Sequence, residues 1–163
     1  MPILKKRNLG YLFLIVIILL SGATGSRASN GPENLRYPII QISKPLRFNL
    51  PGSLGTFREI EPVKIKVIVP KGLYRLQFSA GPFGYTGKEC QGNYALETTY
   101  WIDKQENSFR PGQPLILPVA NANLGKERYY ELQLYGSVNI EKISAQPAGE
   151  YEGKISVLVT EGP

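Results

Sequence analysis

The residue types that most often carry chemistry are nearly missing from this 163-residue chain: it has no His, one Cys (Cys90) and one Asp (Asp103). Without His there is neither the commonest general base nor the commonest metal ligand, and a Ser-His-Asp or Cys-His nucleophile cannot be assembled. One Cys cannot make a structural zinc site, and one Asp argues against an acidic calcium loop. No Gly-rich phosphate loop or dinucleotide fingerprint is present. Two Glu residues, for instance Glu131 and Glu150, could in principle form a glycosidase pair. Most Glu residues, however, alternate with apolar ones, as solvated strand positions do. The reading is a non-enzymatic protein with no metal and no cofactor.

The aromatic residues are the other candidates. Tyr85, Tyr100, Trp101, Tyr129 and Tyr135 could stack against sugar rings from a sheet face, or they could be ordinary cross-strand packing pairs. Tyr85 and Trp101 are the candidate binding surface. Trp101 is favoured for exposure because Glu97 and Thr99 share its side of a strand.

The elements that would position these groups are strands. Seventeen Gly and thirteen Pro punctuate short alternating runs, the pattern of an all-β domain. Val63, Ile65, Val67 and Val69 face one way, Lys64 and Lys66 the other. Pro70-Lys71-Gly72 then suits a tight turn, and Tyr74, Leu76 and Phe78 face inward on the next run. These two runs are expected to form a hairpin. Leu96, Tyr100 and Ile102 share a face, as do Tyr130, Leu132 and Leu134, and Tyr151, Ile155, Val157 and Val159. Arg110–Pro114 is a turn, and Asn121–Lys126 is loop-like. The expectation is an immunoglobulin-like antiparallel β-sandwich of about seven strands, with a jelly roll or small barrel as the alternative.

The N-terminus sets the compartment. Lys5, Lys6 and Arg7 precede the apolar run Leu9–Leu20, and small residues follow. That is a secretory signal peptide, and the run is short for a membrane span of about 20 residues. Residues 1–28 are taken as the leader; an uncleaved leader would be the only membrane attachment. Its removal leaves fifteen basic and thirteen acidic residues, a net charge of +2, which calls for no nucleic acid. The product would be secreted, periplasmic or held at the cell surface. Residues 29–45 read as an N-terminal extension or first strand, and 46–163 as the sandwich domain. Cys90 has no intrachain partner and is either an unpaired loop thiol or an interchain link.

The C-terminal third resembles the spore coat protein U domain, also found in pilin subunits of archaic chaperone–usher systems. The positions that carry the resemblance are Tyr135, Gly136, Pro147, Ala148, Gly149 and Tyr151, followed by the alternating strand Ile155–Thr160. Leu46-Arg47-Phe48 with Pro51-Gly52, and Thr99–Asp103, are similar more weakly. Two departures are the absence of the family's paired cysteines and the presence of Gly153-Lys154 where small polar residues are usual. The resemblance implies an incomplete sandwich that is completed by strand addition from identical or related subunits, with a periplasmic chaperone as a partner. Tyr37, Ile39, Ile40 and Ile42 are then candidates for the exchanged strand; the residues themselves favour the domain's own first strand, and Pro38 confines them to an edge. A stand-alone extracellular module binding carbohydrate or protein is the competing function.

Overall fold

The computed structural model describes residues 15–18, 37–87, 94–122, 128–142, 146–147 and 149–162. Cys90, Ala148 and most of the segment expected to be a leader lie outside them. The described chain is all-β. Its strands are β1 (Ile15–Ile18), β2 (Ile39–Ile42), β3 (Gly55–Arg58), β4 (Val63–Val69), β5 (Gly72–Ala80), β6 (Phe83–Tyr85), β7 (Ala95–Ile102), β8 (Ser108–Phe109), β9 (Leu115–Asn121), β10 (Arg128–Ile140), β11 (Tyr151–Glu152) and β12 (Lys154–Glu161).

They form two sheets. One runs β1-β12-β5-β9; the other runs β11-β6-β7-β10-β4-β2, with β3 against β10 and β8 against β7. Every pairing is antiparallel except β1 with β12, which is parallel. Period-2 alternation aims one face of each sheet at a shared core. Val63, Ile65, Val67 and Val69 are buried from β4, Leu76 and Phe78 from β5, Tyr100 and Ile102 from β7, and Ile155 and Val157 from β12. Phe78 and Tyr100, from opposite sheets, both pack on Phe109 of β8, with centroids 5.9 and 5.5 Å away.

The expected hairpin does not form. β4 pairs with β10 and β2, whereas β5 pairs with β12 and β9. Pro70-Lys71-Gly72 is instead an arch between the sheets, with Gly72 at φ 143°, a conformation that suits Gly alone. Both flanking strands have one apolar face. The arch sets those faces against each other across the core, where a hairpin would set them side by side.

The ends of the sheets are managed differently. β2, at one edge of the larger sheet, follows Pro38, and β11, at the other, has two residues. β9, an edge of the smaller sheet, contains Pro118. Its Ala120 is also plugged by a side chain: the Tyr130 hydroxyl accepts from Ala120 N at 3.0 Å and donates to Ala120 O. Arg128 Nη1 donates to the same carbonyl at 3.0 Å. Proline, short length and blocked backbone groups are the usual protections of a strand edge. β12 has eight residues and no Pro, and β1 is its cover.

Candidate functional site

The outer edge of β12 is covered over half its length by another strand, rather than by Pro or a blocking side chain. On its inner side β12 pairs with β5 from Ile155↔Ala80 to Glu161↔Tyr74. On its outer side the register with β1 runs from Ile15↔Lys154 to Ile18↔Val157. Among the described strands none pairs with Leu158–Glu161 on that side. Ile155 and Val157 are each 1 % exposed and reach into the core. A strand on this edge therefore completes a backbone ladder at the rim of the core. The residues that complete it come from the run read as the leader, a partnership that sequence reasoning missed. The β-branched run Ile15-Val16-Ile17-Ile18 was the available signal, since such residues favour strands.

The turn before β11 is pinned by Tyr151. The Tyr151 hydroxyl donates to Pro147 O at 2.9 Å and lies 3.3 Å from Gln146 Oε1. Its ring lies 5.4 Å from Tyr85 and 6.4 Å from Phe83. Gly136, on β10, is a close-approach point: a Cβ there would meet Phe48 Cζ at 2.8 Å, Leu46 Cδ2 at 2.9 Å and Tyr100 Cδ1 at 3.1 Å. Pro147, Tyr151 and Gly136, three of the positions quoted for the resemblance, thus shape this end of the core.

The candidate exchange residues are bound within the chain. Ile39, Ile40 and Ile42 belong to β2, which pairs with β4 in the register Ile39↔Ile68, Ile40↔Val67 and Ile42↔Ile65. Ile40 is buried and Ile42 packs on the core, while Tyr37 and Ile39 are exposed. The segment is the domain's own edge strand here.

Tyr85 and Trp101 do not share a surface. β6, which carries Tyr85, pairs with β7 at Leu96 and Ala95. Trp101 lies five to six residues further along β7, roughly 17–20 Å at the usual rise. Tyr85 is half-buried against Tyr94 and Tyr151. Trp101 is 7 % exposed, contrary to expectation. Tyr135 covers one side of its ring at 5.8 Å, and the Arg58 guanidinium sits 5.5 Å from its centroid. Large neighbours on the outer sheet face, rather than the inner core, bury it.

Glu131 lies mid-strand opposite Lys66, whereas Glu150 lies in the turn before β11. Among the described residues no three His, Cys, Asp or Glu side chains gather as a metal cluster. Sequence reasoning also missed two buried hydroxyls, Thr98 Oγ1 and Tyr100 Oη, which share a face of β7 and have no hydrogen bond of normal geometry among the described residues. Burial raises the pKa of the Tyr100 hydroxyl, with Thr98 pulling the other way. No family profile, curated protein or solved structure matches this chain.

Proposed function

We propose that this chain is an exported, non-enzymatic structural subunit of the cell surface, similar to spore coat U and pilin proteins, that assembles by strand addition. The observation that supports it best is the contrast between edges. β9 is plugged by Tyr130 and Arg128, β2 begins beside Pro38, and β11 is two residues long. β12 is long and free of Pro, and its cover belongs to a segment with the features of a removable leader. Removing that segment leaves unpaired N–H and C=O groups beside Ile155 and Val157, the geometry that strand addition uses. Identical or related subunits are the partners in this reading, delivered by a periplasmic chaperone.

Light scattering on purified Ser29–Pro163 over a rising concentration series tests the reading. It predicts self-association that a Pro in β12 abolishes. A stable monomer at all concentrations overturns it.

A further inference from the structure

The partner chosen by the β12 edge is the chain's own apolar run, and it lies parallel to β12. We infer that the leader segment Ile15–Ile18 is an internal placeholder: in the full chain it occupies the assembly edge, and its removal opens that edge. This rests on the strand-addition reading and adds its regulation.

Three observations carry the inference. First, the register is continuous over four residues, Ile15↔Lys154 to Ile18↔Val157. Second, the occupant is made wholly of β-branched residues, the type that favours strands. Third, β1 is tied to β2 by about 20 residues. Extended, these could reach roughly 65 Å, whereas packed sheets stand about 10 Å apart. One chain can therefore hold β1 at the smaller sheet and β2 at the far edge of the larger one. The linkage also makes the occupant intramolecular. A tethered strand acts at an effective concentration in the millimolar range, so a second copy must compete with it until the tether is cut. Cleavage after Ala28 removes β1 and leaves β2 in place, so the larger sheet keeps its edge while the smaller sheet loses its own.

Amide hydrogen exchange at Lys154–Val157 tests this. It is compared between the full chain Met1–Pro163 and the Ser29–Pro163 form, each diluted until light scattering reports one chain per particle. The alternate amides that face β1 should exchange about tenfold or more slowly in the full chain, as ladder hydrogen bonds protect them. A Lys-flanked synthetic peptide of Leu9–Leu20 should restore protection to Ser29–Pro163, and a peptide of the same length with Ser at positions 15–18 should not. In the full chain Ile17→Pro should remove the protection, because Pro cannot donate to a ladder. Trp101 emission should stay unchanged and show that the domain is still folded. Equal exchange in the two monomeric forms, or protection that survives Ile17→Pro, overturns the inference. Self-association of Ser29–Pro163 is read separately: if it assembles while the full chain shows no edge protection, the placeholder fails and the subunit reading stands. Edge protection without assembly has the opposite meaning.

Discussion

Trp101 and Tyr135 stand directly opposite each other on β7 and β10, with rings 2° from parallel and centroids 5.8 Å apart. Arg58 reaches across from β3, where it is paired with Ser137, to the Trp101 ring. The only Trp of the chain is thereby flanked by an aromatic ring and a guanidinium, and it is 7 % exposed.

Tyr135→Leu keeps apolar bulk and removes the ring. Aromatic pairs contribute about 0.5–1.5 kcal/mol beyond their area, so denaturant titration should show a loss of about 1 kcal/mol. Trp101 emission should move to longer wavelength as water reaches the indole. An unshifted spectrum would mean that the stack does not shield it.

Val157→Asp and Ser156→Asp differ by one position and should differ widely in effect. Val157 is 1 % exposed in the core, and an unpaired carboxylate there costs several kcal/mol, comparable with the stability of a small domain. Ser156 is half-buried on the opposite face, across from Ser79, and tolerates the change far better. Thermal melts of both variants check the register of β12.

Gly136→Ala should destabilise by about 1–3 kcal/mol, the usual range for overpacking, because its Cβ would press on Phe48, Leu46 and Tyr100. Gly84→Ala is the control, since its Cβ would meet nothing nearer than Tyr94 O at 3.6 Å. Chemical denaturation should rank the two clearly.

Deleting Ser29–Ile42 should unfold the domain, since it removes β2 and the burial of Ile40 and Ile42 against the core. At about 25 cal/mol per Å2 of apolar area, a fully buried Ile contributes roughly 1.5–3 kcal/mol; Ile40 is buried and Ile42 only partly so. Circular dichroism decides; a folded truncation would return these residues to the role of a donated strand.

Alkali should unfold the protein, and Tyr100→Phe should delay it. Burial raises the Tyr100 hydroxyl above the ordinary tyrosine value, and Tyr74 is raised by burial and by the charge of Glu161. A pKa that is higher in the folded state means that the unfolded chain ionises first. Stability from these groups is therefore complete below pH about 10 and is lost as pH rises from there through the folded values. Tyr100→Phe also deletes a buried hydroxyl that makes no hydrogen bond of normal geometry among the described residues, so it should cost little at pH 7. Melting temperatures from pH 7 to 11 for both proteins measure this.

Local pattern was enough to read the faces of the strands. Alternation in Val63–Val69, Leu96–Ile102 and Ile155–Val159 identifies the inward residues, because a side chain's direction along a strand follows from period 2 alone. Pro38 likewise confined Tyr37–Ile42 to an edge, which is where β2 lies. Partnership is a different matter. Pro70-Lys71-Gly72 fits a hairpin or an arch equally well, and the choice depends on how the chain rotates about the strand axis as it leaves the turn. That rotation is set by β10 and β12, dozens of residues away, which take up the ladders of β4 and β5. Trp101 was in phase with polar neighbours and so read as open; Arg58 and Tyr135, on other strands, bury it. Ile15–Ile18 read as an export run from its own composition, and only the tertiary structure pairs it with Lys154–Val157. Side-chain direction is a property of adjacent residues, whereas ladder partners and burial on a sheet face are chosen among segments far apart in the chain.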